Sequence, residues 1–326
     1  MKVLVCGSEG SLMQAVIPKL TSKHAVYGAD NLCRYGERLG IAGDGYEFRK
    51  VDLVDGHSVD ALIGSIKPDL IIQAAARIYG VGGFNKYCAD ILGEDLALHN
   101  NVLKAAVKHH VPKVVYTSSS MVYENCEGIV KEDDVDTMIS PYTEYGLSKF
   151  VGERMSVAFE KQYGVAYTIW RPFNVLTPYE RAEHDQGVSH VFADFMKEIV
   201  VNRNCHLPIL GDGKQIRCFT WIDEVASAIA DYSFSSKTNG QAFNLGNHEP
   251  IDMITLAQKI RHIAETEFNL KFSAPLTFQH MPSYKNDVLY RVPDVSKAKD
   301  VLGWEAKMKV EDSLRICIKD VLHGNN

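Results

Sequence analysis

Hydrophobic and polar positions in the first half of the chain alternate between two patterns. Short apolar, β-branched runs predict strands, and amphipathic stretches such as Leu12–Leu20 predict helices between them. The predicted strands are Lys2–Cys6, Ala25–Ala29, Phe48–Val51, Leu70–Ala74, Lys113–Thr117 and Thr168–Arg171. This alternation predicts an α/β fold with a doubly wound parallel sheet. Right-handed crossovers then bring the carboxyl ends of the strands to one edge, where ligands bind.

The second half of the chain is less regular. Pro172–Arg217 carries loop signals, whereas Trp221–Tyr232 has the pattern of a helix and Ala242–Leu245 that of a short strand. We assign the last two segments to the sheet domain. The predicted division is a first domain of residues 1–174 plus roughly 220–248 and a smaller C-terminal substrate-binding domain of roughly 175–219 plus 249–326.

The composition mainly excludes classes of partner and of site. The formal net charge is −6, and no block of Lys and Arg stands out, so we expect no binding to nucleic acid or to a membrane surface. No apolar stretch is long enough to cross a bilayer or to act as a signal peptide, which predicts a cytoplasmic location. Seven widely spaced cysteines without a C-x-x-C motif predict free thiols and no metal site.

A glycine-containing turn follows the first predicted strand. The segment 7–13 reads G-S-E-G-S-L-M, which has two of the three glycines of the dinucleotide-binding turn G-x-x-G-x-x-G and Met13 in place of the third. Glycine lets the backbone approach a pyrophosphate at a helix N-terminus. Met13 puts a long side chain near that pyrophosphate in place of a hydrogen, which leaves the seating of the cofactor open. A turn without a ligand is the alternative. The candidate cofactor residues here are Gly7, Gly10, Ser11 and Leu12.

Asp30 ends the second predicted strand. A carboxylate there accepts hydrogen bonds from the ribose hydroxyls and repels a 2′-phosphate, so it favours NAD over NADP. The alternative is an aspartate that caps a turn. Other candidates follow later strands, where an adenine edge is read or small residues let the backbone approach the cofactor. These candidates are Asn31, Asp52, Leu53, Ala74, Ala75 and Ala76. Their order along the chain predicts an NAD-binding domain of the Rossmann type.

Tyr145 and Lys149 lie four positions apart in a predicted helix that runs to about Tyr163, so both face the same way. A free phenol has a pKa of about 10, and lowering it by about three units requires roughly 4 kcal/mol, which an ammonium and a nicotinamide cation can supply. The phenolate would accept a proton from a substrate hydroxyl as hydride leaves the same carbon. The serines 118–120 follow a predicted strand and offer a bridging hydroxyl, or they simply cap that strand.

The whole chain resembles the extended short-chain dehydrogenase/reductase, or NAD-dependent epimerase/dehydratase, family. Segments similar to its UDP-galactose 4-epimerases, GDP-mannose 3,5-epimerases and GDP-fucose synthases are Ala29–Cys33, Ala75–Ala106, Arg171–Asn174, Gly211–Thr220, Asp294–Ala298 and Leu302–Trp304. The resemblance implies that Ser119, Tyr145 and Lys149 are catalytic and that Lys149 also binds the nicotinamide ribose. It further implies roles for Asn100 at the cofactor and for the substrate-binding residues Gly82, Ser119, Ser120, Met121, Asn174, His190, Arg217 and Arg291.

The two arginines agree with this reading on chemical grounds. A guanidinium offers bidentate hydrogen bonds to phosphate oxygens, as a nucleotide diphosphate requires, although each arginine would also suit a surface ion pair. Sugar-nucleotide 4,6-dehydratases have Asp-Glu where this chain has Ser120 and Met121. The 3,5-epimerases have a cysteine at the position of Met121. Neither Ser120 nor Met121 can exchange a proton with the sugar as those residues do. His190 matches a histidine of GDP-fucose synthase, but a lone histidine is more often a hydrogen-bonded cleft residue.

The prediction is NAD-dependent oxidation at C4 of a GDP- or UDP-linked sugar, with a 4-epimerase as the leading case. The alternatives are a GDP-sugar 4-dehydrogenase, a 4-keto-sugar epimerase or reductase, and a non-catalytic NAD-binding regulator. We also expect a homodimer, because the helical stretches Gly93–His109 and Gly146–Tyr163 carry more apolar residues than one sheet face needs. These residues are Leu96, Leu103, Val107, Val151 and Phe159.

Overall fold

The computed structural model has a seven-stranded sheet at its centre. It describes residues 1–126, 128–180, 182, 189–284 and 287–324. The strands are β1 (Lys2–Cys6), β2 (Ala25–Asp30), β3 (Glu47–Lys50), β4 (Leu70–Gln73), β5 (Lys113–Thr117), β6 (Ile129–Val130), β7 (Ala166–Pro172), β8 (Val175–Leu176), β9 (His206–Leu210), β10 (Ile216–Cys218), β11 (Thr220–Trp221), β12 (Gln241–Leu245), β13 (Pro250–Asp252), β14 (Thr277–Met281) and β15 (Val292–Pro293).

The central sheet is parallel throughout and has the order β12-β7-β5-β4-β1-β2-β3. The predicted doubly wound sheet is therefore confirmed. Chain order reverses between β1 and β4, so the connections after these two strands leave on opposite faces. A crevice at the carboxyl ends of the strands is expected at this point. The glycine turn that follows β1 lies there.

Helices cover both faces of the sheet. They are α1 (Ser11–Thr21), α2 (Gly56–Ile66), α3 (Val81–Lys86), α4 (Cys88–Lys108), α5 (Glu144–Tyr163), α6 (Val191–Phe195), α7 (Ile222–Tyr232), α8 (Met253–Thr266), α9 (Ser296–Leu302) and α10 (Val310–Leu322). α6 continues as a π-helical turn over Met196–Val201. Alternate residues of β1 show the two layers, since Val3 and Val5 pack into one core cluster and Leu4 and Cys6 into the other. None of the described helices is long and apolar enough to span a membrane.

Helix α5 positions the predicted catalytic pair, and its two ends explain its bounds. Thr143 is the N-cap, and its hydroxyl accepts a hydrogen bond from the Gly146 N–H at 3.0 Å. Gly164 ends the helix in the left-handed conformation, with φ of 74°. Between these caps the helix packs against α4 and β7. The segment with the predicted catalytic pair is therefore held on a rigid element next to the sheet.

The later segments predicted as helix and strand rejoin the first half of the chain. Helix α7 packs against α1, and β12 pairs in parallel with β7 at the sheet edge. The remaining strands form short pairs, β8 with β11, β9 with β14, β10 with β13 and β6 with β15. Helices α8 and α10 pack on the π-helical turn and extend the core on that side. The division into two domains stays a prediction.

Candidate active site

A groove opens at the carboxyl ends of β1, β2, β3 and β4. Most of the residues predicted to bind the cofactor line it, namely Gly7, Gly10, Ser11, Asp30, Asn31, Asp52, Leu53, Ala74, Ala75 and Ala76. Leu12 and Asn100 are not among its lining residues and lie on α1 and α4. The fold therefore brings together, at the crevice, residues that come from four different strand ends.

Gly7 is required by both the backbone conformation and the space around it. Its φ is 77°, and a Cβ built on it would lie 2.6 Å from the Ala75 nitrogen. Gly10 is the N-cap of α1 and supplies no capping side chain, so the first-turn N–H groups of this helix are not capped by a side chain. A pyrophosphate suits such a helix N-terminus. These residues fit a dinucleotide.

Met13 does not lie where the sequence led us to expect it. Its side chain is 1% exposed and belongs to the core cluster that includes Val16 and Ile17. It does not line the groove. The Met13 side chain is therefore not beside the groove, because α1 turns this position toward the core and away from the crevice.

Asp30 lies at the end of β2 with its carboxylate in the groove. Its oxygens accept hydrogen bonds from the Glu9 N–H at 3.0 Å and the Leu32 N–H at 2.8 Å. Burial raises the pKa of Asp30, and the two N–H groups oppose that effect. The carboxylate is thus oriented before any ligand arrives.

Glu9 was missed by the sequence reasoning. Its carboxylate is buried between the two glycines of the turn and accepts hydrogen bonds from the Leu39 N–H at 3.0 Å, from Arg38 Nε at 3.2 Å and from the Tyr46 hydroxyl. These hydrogen bonds hold the loop after β2 against the glycine turn. The charge of Glu9 could have indicated this role, since an acid inside a glycine turn of this kind needs cationic or N–H partners.

Tyr145, Ser119 and Lys149 meet at the carboxyl end of β5. The Ser119 side chain acts on the Tyr145 hydroxyl and lowers its pKa. Lys149 Nζ donates to the Thr117 carbonyl oxygen at 3.2 Å and lies 5.7 Å from the centre of the Tyr145 ring. Ser119 also caps a 3₁₀ turn, since its Oγ accepts from the Met121 N–H at 3.2 Å. The three predicted catalytic side chains are thus brought together.

The Tyr145 ring is held by stacking and burial. Phe84 stacks on it with ring centroids 4.5 Å apart and an interplanar angle of 8°. Burial raises the pKa of Tyr145 above its ordinary value, while Ser119 and Arg291 act in the opposite direction. The phenol is therefore neutral unless further positive charge approaches it.

Asp95 is a second residue that the sequence reasoning missed. It lies on α4, is 5% exposed, and accepts hydrogen bonds from the Arg77 N–H at 2.9 Å and the Ser148 hydroxyl at 3.1 Å. Burial lowers the pKa of Lys149, and the charge of Asp95 raises it. The apolar spacing of α4 indicated this placement, because Asp95 lies between the buried Ile91 and Leu98 on one helical face.

The two arginines predicted to bind phosphate are both buried and lie close together. The Arg291 N–H donates to the Ile216 carbonyl oxygen at 3.2 Å, which places it beside Arg217 on β10. Arg217 Nη2 lies 3.2 Å from Asp287 Oδ1. Among the described residues the buried Arg291 Nε has no hydrogen-bond partner. Burial and the charge of Arg217 both lower the pKa of Arg291. An anion would satisfy these two guanidinium groups.

The other predicted substrate residues occupy several places. Asn174 has φ of 29°, and its amide donates to the Cys218 carbonyl oxygen at 3.2 Å, which places it beside β10. Ser120 is buried in the 3₁₀ turn, and Met121 contacts Arg291 through its sulfur. Gly82 lies in α3, whose Phe84 covers Tyr145.

His190 lies at the cofactor groove, together with Glu180. Its Nδ1 lies 2.8 Å from a Glu180 oxygen, and the charge of Glu180 raises the pKa of His190 against the effect of burial. Within the part of the chain that the structure describes, no group of three His, Cys, Asp or Glu side chains is placed to hold a metal ion.

Comparisons with known proteins agree with this geometry. The sequence profile of the NAD dependent epimerase/dehydratase family matches residues 3–246. A Bacillus subtilis protein named as an uncharacterized UDP-glucose epimerase is 26% identical, with 96% of each chain covered. GDP-L-fucose synthase 1 of Arabidopsis thaliana is 24% identical over 96% of this chain and 90% of its own. The crystal structure of the Thermus thermophilus UDP-glucose 4-epimerase with NAD superimposes with a TM-score of 0.82 at 22% identity, covering 98% of both chains.

Proposed function

Since this chain belongs to the NAD dependent epimerase/dehydratase family, we propose that it is an enzyme that oxidises C4 of a nucleotide-diphosphate sugar. The observation that carries the proposal is the meeting of Ser119, Tyr145 and Lys149 beside the dinucleotide groove, with a buried pair of arginines nearby. The family description also confirms the prediction that NAD is the cofactor.

Tyr145 acts as the base in this proposal. Its phenolate oxygen takes the proton from the C4 hydroxyl of the sugar and so becomes the phenol, and Ser119 donates a hydrogen bond to the same substrate oxygen. The Lys149 ammonium, 5.7 Å from the Tyr145 ring centre, stabilises the phenolate. When bound, NAD supplies the hydride acceptor. Gly7, the α1 N-terminus and Asp30 are the residues that would hold it.

The arginine pair gives the substrate its orientation. We assign Arg217 and Arg291 to the diphosphate, because two adjacent buried guanidinium groups require an anion and a diphosphate offers several oxygens to both. Asn174 extends the same side of the cleft through its contact with β10. When the diphosphate binds at this end, the sugar extends toward Tyr145. The charge of Arg291 also lowers the pKa of Tyr145.

A 4-epimerase is the leading form of the reaction, in which the hydride returns to the opposite face of the same carbon. Ser120 is buried and the Met121 sulfur contacts Arg291, so neither supplies the acid and base that loss of water across C5 and C6 requires. The likeness to a GDP-L-fucose synthase favours a second candidate, a GDP-sugar 4-dehydrogenase or a 4-keto-sugar epimerase or reductase. His190 matches the histidine of that relative in sequence, but it pairs with Glu180 in the cofactor groove, so the match alone supports an acid–base role.

The decisive experiment incubates purified protein and NAD with separate UDP-, GDP-, CDP- and dTDP-sugars. Chromatography and mass spectrometry follow each product, and proton NMR assigns the configuration at C4. A product of equal mass with inverted C4 supports the epimerase. A product two mass units lighter, with matching NADH, supports the dehydrogenase. No conversion of any sugar nucleotide with NAD, nor of a 4-keto-sugar nucleotide with NADH, by protein that binds the cofactor would favour the third possibility, a non-catalytic regulator.

We also propose a homodimer formed through α4 and α5. Of the apolar residues that motivated this prediction, Leu103 is buried in the core, whereas Leu96, Val107, Val151 and Phe159 are half-buried. Val107 and Phe159 pack on the core cluster beneath, so Leu96 and Val151 are the residues a partner helix would cover. Light scattering at micromolar concentration tests this, and a monomer mass would contradict it. Leu96→Glu should shift a dimer toward monomer.

A further inference from the structure

Lys149 is buried among several titratable groups, and they come from every element packed against it. Tyr145 and Glu153 belong to its own helix, Asp95 and His99 to α4, and Tyr116 to β5, while Arg171 on β7 pairs with Glu153. Arg291 reaches Tyr145 from the other side of the cleft. The groups that carry charge near the catalytic pair are therefore Asp95, Glu153, Arg171 and Arg291.

Most of these charges are balanced locally. Glu153 binds Arg171 through two hydrogen bonds, at 2.9 Å and 2.7 Å, and also accepts from the Ser118 hydroxyl at 2.5 Å. His99 is neutral, because burial and Lys149 lower its pKa to about 3. The Arg77 guanidinium is engaged by Glu94 on the side of α4 next to Asp95. Asp95 differs from Glu153, because its hydrogen bonds come from a backbone N–H and a hydroxyl.

We propose that Asp95 is a positioning residue for the reaction, the counter-charge that keeps the buried Lys149 as an ammonium and sets the pH range in which Tyr145 and Lys149 work. This inference rests on the proposed function of that pair. The Ser148 hydroxyl links the two helices, since its Oγ lies 3.1 Å from Asp95 Oδ2 and 2.9 Å from the Tyr145 carbonyl oxygen. Asp95 is thereby fixed against the turn of α5 that carries both catalytic side chains.

The sign of the effect follows from the charge. A carboxylate near Tyr145 disfavours the phenolate and raises the pKa of Tyr145, and the same carboxylate raises the pKa of Lys149. Removing the charge should lower both pKa values. Both limbs of the pH–rate profile should therefore move to lower pH, which a general loss of packing would not produce.

Asp95→Asn is the matched change, because the amide keeps the size of the side chain and its hydrogen bonds. The amide oxygen still accepts from the Arg77 N–H. The amide nitrogen donates to Ser148, whose own hydrogen then turns to the Tyr145 carbonyl oxygen. Asp90→Asn is the control, since it removes the same charge from an exposed position on the same helix. Asp95→Glu restores the charge and should restore the wild-type profile.

The first measurement needs no knowledge of the substrate. The NAD-bound protein is titrated with base, and phenolate formation is followed by ultraviolet difference absorbance against the matching Tyr145→Phe variant. We expect the Tyr145 midpoint to fall by about one pH unit in Asp95→Asn and to stay in place in Asp90→Asn. The second measurement is the pH dependence of kcat/KM with whichever sugar nucleotide is converted, where we expect both limbs to fall.

An unchanged midpoint in Asp95→Asn, or an equal fall in Asp90→Asn, would overturn the proposal. If Asp95→Asn does not fold, Asp95→Ser, which keeps a hydroxyl acceptor for the Arg77 N–H, replaces it with the same expected shift. The proposed function and the role of Asp95 can be refuted independently of each other. Lack of turnover with every sugar nucleotide contradicts the proposed function and leaves the phenolate titration to decide the role of Asp95.

Discussion

Replacing Tyr145 by Phe should abolish turnover while leaving the fold and NAD binding intact. The substitution removes one oxygen, and the ring that stacks on Phe84 at 4.5 Å remains. Loss of one hydroxyl should lower the free energy of unfolding by no more than the net worth of a single hydrogen bond, about 0.5–1.5 kcal/mol. The cofactor groove is lined by other residues, so calorimetry should give an NAD affinity close to that of the wild type.

The catalytic loss should be much larger than the loss of stability. A positioned acid–base group contributes at least about a hundredfold, which corresponds to about 2.7 kcal/mol of transition-state stabilisation. The assay compares kcat of wild type and variant with the sugar nucleotide that is converted, next to their thermal melts. Because burial raises the pKa of Tyr145, wild-type turnover in the oxidation direction should also rise with pH on its acid limb. A loss of turnover in Tyr145→Phe of only about threefold would be far smaller than the expected minimum of a hundredfold. Such a result would place the chemistry on other residues.

Three further outcomes are expected. Calorimetry should find NAD bound more tightly than NADP, because Asp30 repels a 2′-phosphate, and tighter NADP binding would contradict that role. Lys149→Met should weaken both NAD binding and turnover, whereas Ser119→Ala should reduce turnover to an intermediate level because it removes one hydrogen bond; full NAD affinity in the lysine variant would argue against its contact with the cofactor. Glu153→Ala should lower the free energy of unfolding in urea by about 3–5 kcal/mol, since Arg171 is left buried and unpaired. An unchanged urea midpoint would contradict this.

The central sheet was predictable because its inner strands β1, β4, β5 and β7 are largely buried on both faces. Lys2–Cys6 and Lys113–Thr117 were predicted with their observed bounds, and the other predicted strands differ from the observed ones by one or two residues at an end. Such strands leave short apolar runs between polar turns, which are visible in sequence. The paired segments Ile129–Val130 and Val175–Leu176 were not predictable, because two residues carry no periodicity.

The predicted cofactor residues were found at one edge because they follow strand ends, and chain order alone decides which strand ends meet. The direction of individual side chains was harder to predict from the sequence. Met13 was expected in the groove because of its place in the glycine motif, yet it continues the buried stripe of Val16, Ile17 and Leu20 on α1. The helical period of that stripe was the better guide to where its side chain points.

The buried acids Glu9 and Asp95 were missed for a related reason, since a carboxylate in sequence is usually a solvated one. Each is buried here because a partner distant in sequence satisfies it, Arg38 for Glu9 and the Ser148 hydroxyl for Asp95. Such partners become neighbours only through the fold. Residues that act on a buried charge are therefore the part of a site that motif matching recovers least.

Charge is distributed differently at the two ends of the cleft, and the proposed reaction gives this difference a physical meaning. At the catalytic end Glu153 is neutralised by Arg171 and Asp95 offsets part of the Lys149 charge, so the phenolate depends on the positive charge of bound NAD as well as on Lys149. At the other end Arg217 lowers the pKa of Arg291, whose buried Nε has no partner among the described residues. Asp287 and Glu124 offset part of this charge, and further negative charge would stabilise the two buried cations. Diphosphate binding therefore relieves this repulsion, and the free energy gained at that end is available to hold the sugar against Tyr145.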